Sequence, residues 1–137
     1  MKLAYWLFKS DPDVYSYDSL EKDGKTVWDG VTNNLALKYL RSVKKKDQAF
    51  IYHTGSEKQI VAISEITSDP YPDAKAKNPK LVVVDLNPKR RLKKTVSLEQ
   101  LKGMREFARF ELVRLPRLSV MPVDEQTWLR ILQLSGD

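Results

Sequence analysis

Cysteine is absent from the 137-residue chain, and histidine occurs once, at His53. Without a thiol there is no disulfide framework, no thiolate zinc site and no cysteine nucleophile. A single imidazole also excludes a multi-histidine metal centre. Glycine is scarce, at 5 residues, and none of them builds a phosphate loop, a dinucleotide fingerprint or a Gly-x-Ser-x-Gly elbow. No stretch approaches the roughly 20 apolar residues of a membrane-spanning helix. The opening residues, Met1 to Trp6, show neither the apolar run nor the small-residue cleavage site of a secretory leader. These absences favour a cytoplasmic protein without metal, cofactor or membrane partner. In a prokaryote it would be nucleoid-associated, and in a eukaryote nuclear.

What is present describes a folded chain. Apolar residues make up 42% and charged residues 31%, a balance that supports a buried core. With no repeat, linker or low-complexity tract, residues 1–137 read as one domain, expected to be a monomer. The net charge of +6 is unevenly placed. Residues 1–68 hold 10 Lys and Arg against 9 Asp and Glu, whereas residues 69–137 hold 14 against 9. Lys89, Arg90, Arg91, Lys93 and Lys94 form a run without an acid. Such a run attracts phosphates, and it also occurs as a solvated loop that only aids solubility.

Periodicity gives the elements. Leu3 to Phe8 is dense in apolar and aromatic residues and reads as a buried strand, closed by Pro12. A short helical turn follows around Tyr17 to Glu21, ending near Gly24, and Thr26 to Trp28 makes a brief strand before the Asp29-Gly30 turn. Ala36, Tyr39, Leu40 and Val43 recur at helical spacing, so a helix is expected over 33–44. Asn33 or Asn34 would cap it, and Lys44, Lys45 and Lys46 would sit at its C-terminal end. Strands are expected over 48–53, 59–66 and 81–86, with a loop over 68–79. Ser97 and Gln100 form a capping box. Asp124 would cap the last helix, which buries Trp128, Ile131 and Leu132, with Val123 and Trp128 as a hydrophobic staple. The fold class is therefore mixed α/β (α+β), a small curled sheet with helices against it.

Few residues suggest catalysis. A hydrolytic triad would have to recruit His53, and no nucleophile elbow accompanies it. The carboxylates are explained by caps and solvated faces. The distinctive resource is aromatic: Tyr5, Trp6, Trp28, Phe50 and Tyr52 fall on or beside strands. Polar neighbours accompany them, namely Lys9, Ser10, Asn33, Asn34 and His53. A pocket for a nucleobase needs this mixture of stacking walls and edge-reading groups. On residue type alone, most of these aromatics belong to the core.

Five segments decide between the two. Tyr5-Trp6-Leu7-Phe8-Lys9-Ser10-Asp11-Pro12, Trp28-Asp29-Gly30-Val31-Thr32-Asn33-Asn34-Leu35-Ala36 and Ala49-Phe50-Ile51-Tyr52-His53 come first. The strand over 60–66 with Tyr71-Pro72-Asp73, and Arg117-Leu118-Ser119-Val120-Met121-Pro122-Val123 with Trp128, complete the set. In this order they resemble the motifs of the EVE domain, a PUA-like module similar to YTH and ASCH modules. The resemblance implies a PUA-like pseudo-barrel and non-enzymatic recognition of a modified base, such as methylated or hydroxymethylated cytosine, in DNA or RNA. It implies a ligand site of Trp6, Lys9, Ser10, Trp28, Val31, Asn33, Asn34, Tyr52, His53, Arg117 and Ser119. Trp28 would be the stacking wall and Asn33 would read a base edge. Arg117 would meet a phosphate, and the five cations of the basic run would hold the backbone. The chain departs from the family at Thr32, where Arg is usual, at Asn34, where Tyr is usual, and at Leu81, where an aromatic is frequent. Two other functions remain open from the residues: a general RNA-binding or scaffold module, and a small nucleotide hydrolase using His53.

Overall fold

The computed structural model describes residues 3–137. β1 (Tyr5–Ser10) lies inside the sheet, parallel to β3 (Gln48–His53) and antiparallel to β7 (Val120–Val123). Successive strand residues point to opposite faces, so burial of Trp6, Leu7 and Phe8 together means that both faces are covered. That is why this segment reads as continuous rather than alternating apolar sequence. A parallel pair needs a crossover, here α1 (Tyr17–Asp23), β2 (Thr26–Trp28) and α2 (Asn34–Ser42). β3 then turns back into β4 (Gln59–Ile66), which pairs with β6 (Val82–Ser97). β2 pairs with the first half of β6, and the two-residue β5 (Tyr71–Pro72) pairs with Val82 and Val83. The order β2-β6-β4-β3-β1-β7 is a mixed, strongly curled half-barrel with flanking helices, as the sequence leads one to expect.

The helix caps follow sequence chemistry. Asn33 accepts the Ala36 N–H at 3.0 Å and is the N-cap of α2. Ser97 accepts from Gln100 at 3.0 Å to start α3 (Leu98–Lys102), and Asp124 accepts from Thr127 at 2.7 Å to start α5 (Glu125–Leu134). Between them lie a 3-10 turn (Arg105–Phe107) and α4 (Glu111–Arg114). α2 stops two residues before the expected end, because Val43 turns extended and the Lys44 N–H is taken by the Asp47 carboxylate at 2.9 Å. The lysine triplet thus forms the turn after the helix, with Lys46 at φ +81°, and not its last turn.

A larger difference concerns β6. The expected strand over 81–86 continues through the basic run to Ser97. Leu86, Leu92 and Val96 point inward, and the cations occupy the exposed positions between them. Pro88 is tolerated because the β4–β6 register shifts there, opposite Ser64. The run is therefore a strand and not a loop, and acids from other segments meet it: Arg90 pairs with Asp137, and Arg91 pairs with Asp18 and with Glu21, the latter at 2.8 Å.

In the core Trp128 lies between two rings, 3.8 Å from Phe50 and 4.4 Å from Tyr5, nearly parallel to both. This stack fixes α5 against β1 and β3. Leu132, expected inside, is half-buried at the helix margin.

Candidate functional site

A cavity of about 650 Å³ opens where the C-terminal ends of β1 and β2 meet the turn leading to α2. Lys9 and Ser10 enter it from β1, Trp28 from β2, and Val31 from the turn. Ser119 joins from the segment before β7 because its carbonyl accepts the Lys9 N–H at 2.9 Å, tying the two segments together. Trp28 is only 8% exposed, and its ring rests on Phe8, 5.6 Å away and tilted by 36°. It is thus a fixed wall, backed by core, with a small surface open to the cavity. The Lys9 ammonium donates to the Pro116 carbonyl at 2.8 Å and lies 5.6 Å above the Tyr52 ring. Burial lowers its pKa below the usual lysine range.

Five of the residues named from sequence therefore converge: Lys9, Ser10, Trp28, Val31 and Ser119. Six do not line this cavity, each for a physical reason. Trp6 is buried and donates its indole N–H to Asp47 at 2.9 Å. Asn33 spends its side-chain oxygen on the α2 cap, and Asn34 is exposed in the first helical turn. Tyr52 lies beneath Lys9, 3% exposed, and burial raises its pKa. Arg117 is exposed beside the loop that carries Ser119.

His53 is buried and held at both nitrogens. Its Nε2 accepts the Tyr17 N–H at 3.0 Å, so the ring proton is on Nδ1, 3.0 Å from Glu57. That hydrogen bond holds the Glu57 carboxyl below its ordinary pKa. An imidazole with its lone pair already occupied, outside the cavity, anchors α1 to β3.

The cavity also contains residues that the sequence did not single out, among them Asp11, Tyr15, Thr26, Asp29 and Lys75. Asp11 lies within the first motif, Tyr15 follows it by three residues and Asp29 lies within the second, so motif membership was an available signal. Lys75 comes from the loop after β5, and nothing local in that Pro-, Asp- and Lys-rich stretch marks it. Its cation is notable because Thr32, the position where the family usually has Arg, is exposed and does not line the cavity. Among the described residues no cluster of His, Asp and Glu has the make-up of a metal site, and no helix is long and apolar enough to cross a membrane.

A curled mixed sheet, flanking helices and a cleft at the strand ends define a PUA-like module. Within that class the EVE domain model matches residues 4–134, and the chain belongs to the EVE domain family. Thymocyte nuclear protein 1 of Rattus norvegicus is 31% identical over an alignment covering 95% of this chain and 73% of that protein. A Rhodopseudomonas palustris protein solved by NMR superposes with a TM-score of 0.92 at 36% identity, covering 98% of this chain and 94% of that one. The crystal structure of human THYN1 protein in complex with 5-methylcytosine-containing DNA superposes with a TM-score of 0.89 at 27% identity, covering 98% of each chain.

Proposed function

We propose that this chain is a non-catalytic reader that captures one nucleobase of DNA or RNA in the Trp28 cavity, a methylated or hydroxymethylated cytosine being the favoured ligand. The observation that carries the reading is the cavity itself, one rigid aromatic wall ringed by hydroxyls, carboxylates and ammonium groups. Its volume of about 650 Å³ lies in the range of ligand sites and leaves room for a base with part of its sugar-phosphate. The human THYN1 structure with 5-methylcytosine-containing DNA supports the choice of ligand. Extracting a base costs a few kcal/mol of stacking, and stacking on an aromatic wall returns ~1–3 kcal/mol. Polar contacts and backbone charges supply the remainder.

Binding without turnover is supported by the position of His53, bonded at both nitrogens and outside the cavity. For the phosphates, Lys89, Lys93 and Lys94 are exposed on β6, whereas Arg90 and Arg91 first have to leave their carboxylate partners. Titration with short strands carrying one 5-methylcytosine, followed by tryptophan fluorescence, tests the reading. Tighter binding of the modified strand, weakened at least about fivefold by Trp28→Ala, is expected from the loss of stacking. Equal affinity for modified and plain strands, unaffected by Trp28→Ala, contradicts it.

A further inference from the structure

We propose that Asp29 reads the exocyclic amino group of the captured base, so that the cavity takes bases of the cytosine type over their keto counterparts, thymine and uracil. The inference rests on the base-capture reading above and adds the chemical edge that the site discriminates.

Several polar groups on the cavity wall are bonded within the protein. The Ser10 hydroxyl donates to the Tyr15 carbonyl at 2.5 Å, and the Tyr15 hydroxyl donates to Asp23 at 2.8 Å. The Lys9 ammonium is bound to Pro116 at 2.8 Å, and the Asp11 carboxylate accepts the Asp13 N–H at 2.9 Å. Each of these groups thus already has a partner within the protein, the Asp11 carboxylate through one of its two oxygens. Asp29 lines the same cavity, and its carboxylate has no hydrogen-bond or ion-pair partner among the described residues.

Its position is well defined although its side chain is exposed. Trp28, one residue before, is paired with Val84 of β6, and Gly30, one residue after, turns the chain at φ +77°. A conformation of that sign favours glycine, so the carboxylate is carried on a sharp turn directly beside the aromatic wall.

An ionised carboxylate only accepts hydrogen bonds. Cytosine offers it the N4 amino group, whereas thymine and uracil offer the O4 lone pairs, which repel it. 5-Methylcytosine and thymine share the ring and the methyl group, so shape and stacking do not separate them. Lys75 and Ser119, two donors on the same cavity, suit the O2 atom that both pyrimidines present. Discrimination between the two therefore falls on Asp29. Guanine also carries an amino group, and the 5-methylcytosine-containing DNA in the human THYN1 complex favours the pyrimidine.

Fluorescence polarisation with strands differing only in one base, 5-methylcytosine or thymine, tests this on the full chain with Asp29→Asn and Asp29→Ala. The wild type is expected to favour 5-methylcytosine about tenfold. Asp29→Asn should bring the two strands within about threefold, because an amide serves a keto edge as readily as an amino edge. Asp29→Ala should lose the preference as well. Equal wild-type binding of the two strands, or a preference retained in both variants, overturns the role of Asp29. Trp28→Ala separates the two claims. If it abolishes binding while the Asp29 variants keep the preference, base capture stands and the Asp29 assignment falls. If it changes nothing on either strand, base capture itself falls.

Discussion

Asp47 accepts the indole N–H of Trp6 at 2.9 Å, and the same carboxylate takes the backbone N–H groups of Ala4 and Lys44 at 3.1 and 2.9 Å. At 3% exposure it is a buried acceptor that joins the start of β1 to the turn before β3. Asp47→Ala leaves three donors unsatisfied, each costing ~1–3 kcal/mol when buried, though relaxation and water entry reduce the sum. A loss of roughly 3–5 kcal/mol in urea unfolding is expected, with ligand affinity of the remaining folded protein little changed. A loss below ~1 kcal/mol would mean that the network is not structural.

His53 is assigned to structure as well. His53→Ala removes the acceptor of the Tyr17 N–H and should lower stability by ~1–3 kcal/mol, measured by thermal or urea melting. Binding of a 5-methylcytosine strand below the melting temperature should persist. A variant of normal stability that no longer binds would move His53 into the site.

Glu57 provides a pH test of the same hydrogen bond. Its folded pKa is depressed, chiefly by the donation from His53. A depressed carboxyl contributes stability that is fully present above the unfolded value, here 4.5, and is lost as pH falls through the lower folded value. The stability gap between wild type and Glu57→Gln should therefore be constant near neutrality and close as pH drops below about 4.5. A gap that widens on acidification contradicts the assignment.

Among the described residues, the cations of β6 divide into unpaired Lys89, Lys93 and Lys94 and paired Arg90 and Arg91. Reversing Lys89, Lys93 and Lys94 to Glu should weaken strand binding and flatten its salt dependence, by a slope of ~0.7–0.9 for each phosphate that is no longer neutralised. Neutralising Arg91, held by Asp18 and Glu21, should have a smaller effect on the slope. Salt titrations of both variants decide. An Arg91 effect exceeding that of the lysines would show that the ion pairs open on binding.

How much of this was legible in the sequence depends on the distance over which each feature is determined. Caps were legible because Asn33, Ser97 and Asp124 bond residues three positions ahead. Strands β1 and β3 were legible because burial on both faces leaves unbroken apolar runs. β6 was not, since its inward residues Leu92 and Val96 are separated by cations, and two register shifts break the period of two. Within the cavity, motif resemblance led to Trp28, Lys9, Ser10, Val31 and Ser119, but it could not tell a tryptophan that lines a cavity from one that bonds a buried aspartate. Trp6 and Trp28 differ in that respect only through Asp47 and Phe8, partners distant in sequence. Lys75 was invisible because only tertiary folding brings the loop after β5 to the cavity.

The three tryptophans supply the most direct test of base capture. Trp6 is bonded to Asp47, Trp128 is stacked between Tyr5 and Phe50, and Trp28 alone lines the cavity at the strand ends. In a two-dimensional NMR titration with a 5-methylcytosine strand, the Trp28 indole N–H and the Gly30 and Ser119 amides should shift together, while the Trp6 and Trp128 indoles stay in place. Shifts confined to the β6 amides, with the Trp28 indole unmoved at saturation, would contradict capture of a base in this cavity.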